Sequence, residues 1–366
     1  MKPSQFTSIG GQAVIEGVMM RSPHFLAVAV RRPNQKIIIK NEPYAGIAGR
    51  FPLLKKPVLR GIAGLIESMV QGIHALSYSA NIVAAEEGTN GEQGEQLSGW
   101  AVFGSVASAM LLGLGLFVAL PHFVTAYIVS RPSIGLTAAS PLFHLLDGVL
   151  KMILLLGYVY AIALMRDIQR VFQYHGAEHK SIYTFEAGEE LTVENARKHT
   201  TLHPRCGTSF LLFLVVISII VFSIVFPVFG LTHFSANKFV NNLWMILVKI
   251  VLMFPIAGLS YEFIKACACR MNNPLFRAMI WPGMILQKLT TREPDDHQLE
   301  VALASLRLVL KLEKSRNGSA ERASANGHAV ASNGHSQGSV AFNELEIVAL
   351  SEIATVSASV SEFPEL

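Results

Sequence analysis

Cysteine and charge are both scarce in this chain of 366 residues. The three cysteines, Cys206, Cys267 and Cys269, are too few and too unevenly spaced for the disulfide framework of a secreted protein. We therefore expect free thiols in a reducing compartment. Charged residues make up only 15% of the chain and hydrophobic residues 51%, which is unusual for a soluble protein. This excess of apolar residues predicts a membrane protein whose surroundings are a lipid bilayer.

Signatures of several other protein classes are missing. Basic residues do not alternate with aromatic residues, and no DNA-binding helix motif is found, so we expect no nucleic-acid partner. The chain lacks the internal repeat that is typical of transporters, and the apolar runs contain few polar residues. A carrier or channel is therefore the weakest of the functional hypotheses.

Apolar residues are gathered into four runs, each long enough to cross about 30 Å of hydrocarbon as a helix. The predicted spans cover approximately residues 101–129, 143–165, 210–229 and 243–266. Pro121 interrupts the first and predicts a kink or an early end of that helix. The predicted fold class is mainly α, a polytopic bundle of four transmembrane helices within residues 101–292, with a small N-terminal β element and an amphipathic helix.

The basic residues predict the orientation of this bundle. Residues 1–100 carry ten Lys and Arg and the middle segment 166–208 carries six, whereas the other two links carry only Arg131 and Lys238. Lys and Arg are enriched in the cytoplasmic parts of membrane proteins. We therefore predict a multi-pass protein of the cell membrane with both termini and the 166–208 loop in the cytoplasm.

The N-terminal hundred residues have their own pattern. Residues 26–31 and 36–40 are β-prone runs separated by a proline-containing turn, which predicts a hairpin within a cytoplasmic β element, residues 1–57. Apolar residues then recur at helical spacing from about residue 58 to residue 85. They predict an amphipathic helix at the membrane interface, joined to the first span by a linker that ends at residue 100.

Three segments follow the last span. Residues 275–289 contain enough apolar and aromatic residues for a re-entrant or interfacial segment, and residues 293–314 predict a polar-faced cytoplasmic helix. Residues 315–366 are predicted to be a disordered tail that begins with a low-complexity run rich in Gly, Ser and Asn. The last twenty or so residues mix acidic and apolar side chains, and docking of this part is the alternative.

The middle segment contains a possible metal-binding pattern, HxxEH, formed by His175, Glu178 and His179. On a helix, the two histidines are four residues apart and share a face, so both imidazoles can reach one ion. This is the inverted order of a zinc-hydrolase helix, in which the glutamate accepts a proton from water. Gly176 argues against a stiff helix in this segment. The alternative to a metal site is a helix end at which the His and Glu side chains face water.

Further candidate ligands lie later in the chain. His203 and Cys206 come shortly before the third span, and a thiolate there would need a metal or cation to stabilise it. Cys206 is alternatively a small buried apolar residue. Glu262 lies near the cytoplasmic end of the fourth span, at a separation from His179 at which inverted zinc peptidases supply a carboxylate ligand.

Three charged residues inside the spans have ordinary interpretations. Asp147 and Lys151 are four residues apart and predict a simple ion pair. Lys249 is predicted to extend its ammonium group outward to the membrane surface.

With these residues in view, the chain resembles the YqhQ-like family of bacterial membrane proteins, a domain of unknown function sometimes labelled a predicted metal-dependent enzyme. The resemblance covers nearly all of the chain up to residue 312 and rests on four blocks: GGQAVIEGVMMR (10–21), YHGAEHK (174–180), LHPRCGTSF (202–210) and QKLTTREPDD (287–296). It implies a bacterial inner-membrane location. It supplies no reaction, because the family's metal is itself inferred from the same residue types.

The leading functional hypothesis is a membrane-embedded, metal-dependent hydrolase whose site faces the cytoplasm, with zinc as the expected ion and another divalent metal as the alternative. Glu178 is the predicted general base, and Arg205 would offer positive charge to a developing oxyanion. Three protein ligands would leave one position open, as in catalytic zinc sites, and these are His175 and His179 with His203 or Cys206. The alternative is a non-enzymatic scaffold or regulatory protein in which all four of these residues close around a structural zinc ion.

Overall fold

The structure, a computed structural model, describes residues 9–47, 51–87, 99–131, 136–325, 343–347 and 350. Its helices are α1 (Leu59–Glu87), α2 (Gly99–Val129), α3 (Pro141–Ile162), α4 (Arg166–Glu186), α5 (Val193–Arg197), α6 (Gly207–Val228), α7 (Lys238–Ala268), α8 (Pro274–Thr290) and α9 (Asp296–Ala325), preceded by a 3-10 turn, Pro52–Lys55. Its strands are β1 (Gly10–Val14), β2 (Gly17–Arg21), β3 (Phe25–Arg31), β4 (Ile37–Pro43) and β5 (Asn343–Ile347).

Helices α2, α3, α6 and α7 confirm the four predicted spans. Each is long and apolar enough to cross a membrane, with lengths between 22 and 31 residues. In each helix, no more than 39% of the residues in the most apolar 18-residue stretch are buried inside the protein. The remaining apolar side chains face outward, and lipid is the surrounding that satisfies them. Helix α8 packs against α6 and α7 and buries one face formed by Ile280, Gly283, Leu286, Gln287 and Thr290.

Pro121 neither ends nor breaks α2. One turn before it, residues Gly115–Ala119 form a π-helical segment, and the α-helix then continues from Leu120 to Val129. Proline cannot donate the hydrogen bond that would continue the regular ladder. The wider π turn accommodates this loss within the helix.

The N-terminal β element is larger than the predicted hairpin. The predicted pairing of β3 with β4 is confirmed, with Val28 opposite Lys40, and β1 and β2 extend it to an antiparallel sheet of order β1-β2-β3-β4-β5. Alternate side chains point to opposite faces. One face packs against α1 around Ala75, and the other packs against α4 and α9. The sheet, α1, α4 and α9 therefore form one body, here called the sheet domain.

Helix α9 corrects the expectation of a polar-faced helix. Its residues from Leu299 to Leu306 are buried on nearly all sides, because the sheet covers one side and α4 with α5 covers the other. Ser305 donates a hydrogen bond to the carbonyl of Ala27, 2.9 Å away, which satisfies its hydroxyl within the core. The segment 166–208 is likewise more than a loop, since it contains α4 and α5.

The expected disorder of residues 315–366 is wrong for two described parts. Helix α9 continues to Ala325, and Asn343–Ile347 forms β5, which pairs with β4. Ile347 lies opposite Ile37, and its side chain is 3% exposed. An available edge of β4 attracts a short strand from the segment that follows the low-complexity run. Residues 326–342 and 351–366 lie outside the described residues.

Truncation of Ile347 tests whether β5 is part of the core. Ile347→Ala removes a buried side chain and is expected to lower the free energy of unfolding by about 2–5 kcal/mol. The matched control is Glu346→Ala, whose side chain is exposed and ion-paired with Lys36, so that the expected loss is below about 1 kcal/mol. Denaturant unfolding of the detergent-solubilised chain measures both. Equal effects of the two variants would contradict the assignment of β5.

Candidate metal centre

Helix α4 carries the HxxEH pattern and runs between the sheet and the segment that follows α8. Gly176 lies within this helix and does not interrupt it. A Cβ atom at Gly176 would lie 2.1 Å from the carbonyl oxygen of Arg292. The glycine therefore allows the chain after α8 to approach α4 closely, rather than making the helix flexible.

The imidazoles of His175 and His179 are each held by a backbone carbonyl. Nδ1 of His175 is 2.8 Å from the carbonyl oxygen of Thr290, and Nδ1 of His179 is bonded to the carbonyl oxygen of Thr201. A carbonyl oxygen can only accept, so both Nδ1 atoms carry the proton. In the neutral rings, each Nε2 is left with a lone pair. The ring centroids lie 4.5 Å apart.

Cys206 completes the group on which the two Nε2 atoms converge. Its sulfur lies 3.2 Å from Nε2 of His175 and 3.1 Å from the hydroxyl of Thr208. Cys206 caps the N-terminus of α6, where its sulfur also accepts a hydrogen bond from the Thr208 amide. The ligand atoms of His175, His179 and Cys206 all lie within 4.8 Å of one another. The structure thus brings together three of the five predicted metal ligands.

Glu178 is buried beside this group. Its side chain lies against β1, where a Cβ on Gly11 would be 2.6 Å from Cγ of Glu178. Its Oε2 is 3.4 Å from Nε2 of His179. Burial raises the pKa of the Glu178 carboxyl, and His175, His203 and the amide of Gly11 act in the opposite direction. The alternative in which Glu178 lies at a helix end and faces water is therefore wrong, because its side chain is buried.

His203 lies next to the three converging residues but is held differently. Its Nδ1 accepts a hydrogen bond from the Arg205 amide at 3.3 Å, so a neutral ring carries its proton on Nε2. That Nε2 is buried and makes no hydrogen bond within the described structure, and Oε2 of Glu186 lies 3.6 Å from it. Burial lowers the pKa of this imidazole. The ring centroids of His203 and His179 are 5.6 Å apart.

The two remaining predicted site residues are bound elsewhere. The guanidinium of Arg205 forms an ion pair with Glu186. The carboxylate of Glu262 is bound by the guanidinium of Arg60, whose Nε lies 2.6 Å from Oε1, and by the amide of Val58. Glu262 therefore does not converge with the other candidate ligands, because its carboxylate is ion-paired with Arg60 of α1.

Several residues that position the site were not singled out from the sequence. Gln287 fixes the backbone of His203 by donating to its carbonyl at 2.8 Å and accepting from its amide at 2.7 Å. Thr290, Thr201 and Gly11 hold the two imidazoles and the Glu178 carboxyl, as described above. The sequence nevertheless contained a signal for this centre, because each of the four blocks that carried the family resemblance supplies at least one residue to it.

Together, these features define a class, a four-span helical membrane protein whose sheet domain meets the bundle at a buried His/Cys cluster. The chain belongs to the family described as "Protein of unknown function (DUF1385)", whose model matches residues 56–312. It is 33% identical over 317 residues to the "Uncharacterized protein YqhQ" of Bacillus subtilis (strain 168), a match that covers 83% of this chain and 92% of that protein. No solved structure matches it. The resemblance found from the four sequence blocks is confirmed.

Gly176→Ala tests the close approach of the chain after α8. The added methyl group meets the carbonyl of Arg292, so we expect a loss of about 1–3 kcal/mol in the free energy of unfolding. Gly64→Ala is the matched control, since Gly64 also lies inside a helix but has no atom within 4 Å of the added Cβ. Alanine stabilises a helix relative to glycine, so this control should gain up to about 1 kcal/mol. A gain in both variants would contradict the packing described here.

Proposed function

We propose that the chain is a metal-dependent hydrolase in which His175, His179 and Cys206 hold a zinc ion. One observation supports this most strongly: both imidazoles donate from Nδ1 to a backbone carbonyl and present Nε2 to a thiol. Metal-ligating histidines almost always donate their second nitrogen to a carbonyl or carboxylate in this way.

The donor set fits zinc. Zn²⁺ prefers imidazole nitrogen and thiolate sulfur at about 2.0–2.3 Å, so a tetrahedral site separates its ligand atoms by about 3.3–3.8 Å. The Nε2 to Sγ distance of 3.2 Å between His175 and Cys206 is close to this range. Within the described residues, the converging group contains three ligands. A three-ligand site favours catalysis, because catalytic zinc sites keep their fourth position open.

Bound zinc would supply a Lewis acid that makes water nucleophilic and polarises the bond to be cleaved. Glu178 is the general base in this proposal. Its carboxylate lies beside the ligand atoms and outside the ligand group, where Oε2 can accept a proton and later return it to the leaving group. The neighbouring strand β1 shields this carboxylate from bulk water.

The role of oxyanion stabilisation moves from Arg205 to His203. Arg205 is neutralised by Oε1 of Glu186. The buried Nε2–H of His203 makes no hydrogen bond in the described structure, because Oε2 of the same Glu186 lies 3.6 Å away, beyond hydrogen-bond distance. An unbonded buried donor is costly and is the kind of group that stabilises developing negative charge. Because Cys206 caps a membrane span, the substrate would be a peptide bond or a lipid ester or phosphoester near the membrane surface.

Metal analysis of the detergent-purified chain tests the ligand set. We expect about one zinc ion per chain, and its loss in His179→Ala and Cys206→Ala, since each variant removes one of only three ligands. Glu262→Gln and Glu178→Gln should keep the metal, and Glu178→Gln should lose turnover once a substrate is found. Equal metal content in all variants would contradict the proposal. Loss in His203→Ala as complete as in Cys206→Ala would instead support a closed structural site with four ligands.

We further propose that the metal centre faces the cytoplasm, as the Lys and Arg distribution predicts. Cys269, which follows α7 at the end of the bundle predicted to be cytoplasmic, offers a direct test, because it is exposed whereas Cys206 and Cys267 are buried. A membrane-impermeant maleimide should label the chain only after cells are permeabilised, and Cys269→Ser should abolish that labelling. A Ser130→Cys, Cys269→Ser chain, with its thiol at the opposite end of the bundle, should be labelled in intact cells. Labelling of the parent chain in intact cells would reverse the orientation.

A further inference from the structure

A second polar cluster lies inside the membrane bundle. Lys249 is fully buried in α7 and, contrary to the sequence prediction, does not extend to the membrane surface. Its ammonium nitrogen is 2.8 Å from Oδ2 of Asp147 in α3 and 3.0 Å from Nδ1 of His122 in α2. Lys249 is eleven residues from the start of α7, which is about 16 Å along the helix. This depth places its charge well within the hydrocarbon layer.

The cluster contains more positive than negative charge. Lys151 also donates to Oδ2 of Asp147, at 2.7 Å, so two buried ammonium groups share one carboxylate oxygen. The other oxygen of Asp147, Oδ1, is buried and makes no hydrogen bond with any residue that the structure describes. An uncompensated charge inside a membrane is costly, and such residues mark ion or proton pathways. Loss of one proton from a lysine would leave a neutral amine beside a Lys151–Asp147 ion pair.

A chain of hydrogen bonds leads from Lys249 towards one end of the bundle. Nδ1 of His122 accepts from Lys249, so the neutral ring carries its other proton on Nε2, which lies 3.2 Å from Oδ1 of Asn242. Asn242 is half-buried and only four residues from the start of α7. An imidazole bonded through both nitrogens can take up a proton on one and release it from the other. His122 is therefore placed to connect Lys249 with water at that end.

The titratable groups facing Lys249 come from two helices in the described structure. His122 belongs to α2, and Asp147, Lys151 and His144 belong to α3. Both ring nitrogens of His144 are buried without a hydrogen bond. Helix α6 contributes the ring of Phe222, 5.6 Å from the Lys249 nitrogen, and Phe143 of α3 lies at 5.5 Å. These aromatic faces favour the ammonium form, whereas Lys151 opposes it.

We propose that this cluster is a proton-binding site of the membrane bundle, separate from the metal centre. Lys249 gives one proton from its ammonium group to Nδ1 of His122 and becomes an amine, and His122 releases its Nε2 proton to water beside Asn242. The reverse steps return the proton. A proton is small enough to bind here without a cavity. Its release changes the net charge of Lys249, Lys151 and Asp147 from +1 to zero.

Side-chain ¹⁵N NMR of the lysine-labelled full-length chain in lipid bilayers tests this proposal. We expect one lysine nitrogen to show its amine signal at about pH 8, where an exposed lysine keeps its proton. Lys249→Arg retains the positive charge but cannot release a proton, so this titrating signal should be lost. If Lys249→Arg does not fold, Lys151→Arg replaces it as the test, and the titrating signal should persist in that variant.

Two outcomes overturn the proposal. One is a parent chain in which every lysine nitrogen keeps the ammonium signal up to pH 8. The other is a titrating signal that belongs to another lysine, shown by its persistence in Lys249→Arg or by its loss in Lys151→Arg. Metal content is independent of both results, so failure of this proposal is distinguishable from failure of the metal centre.

Discussion

The hydrogen bond from Nδ1 of His175 to the carbonyl of Thr290 joins the sheet domain to the membrane bundle. Thr290 is the last residue of α8, and the final carbonyls of a helix have no partner within it. The histidine of α4 satisfies one of them. In doing so, the carbonyl determines which ring nitrogen carries the proton and leaves Nε2 directed at Cys206. The same contact thus stabilises a helix end, orients the proposed ligand and sets the distance between the two halves of the molecule.

Two glycines make this contact possible. A side chain on Gly176 would separate α4 from the chain after α8, and one on Gly11 would displace Glu178 from its place beside His179. Neither glycine has a positive φ, so backbone freedom is not the reason for their presence. Close approach between segments is the reason, and it explains how sequence blocks almost three hundred residues apart serve one centre.

The parts of the fold that depend on local pattern were predictable. Runs of apolar residues located the four spans, and alternating β-prone residues located the β3–β4 hairpin. On the site, helical spacing in α4 correctly brought His175 and His179 together. Features that depend on distant partners were not predictable from one sequence. Arg60 binds the carboxylate of Glu262, and Glu186 binds the guanidinium of Arg205. The edge of β4 pairs with β5, which follows the low-complexity run.

Lys249 shows why a local rule can fail inside a membrane. A lysine side chain extends to the surface when its alternative is lipid. In this bundle α2 and α3 offer His122 and Asp147, so the ammonium group finds hydrogen bonds at depth. The His/Cys cluster and the bundle cluster therefore solve the problem of burying polar groups in different ways. At the His/Cys cluster, backbone carbonyls satisfy the imidazoles without adding charge. In the bundle, charged side chains satisfy one another incompletely, and a mobile proton is the smallest species that can remove the imbalance.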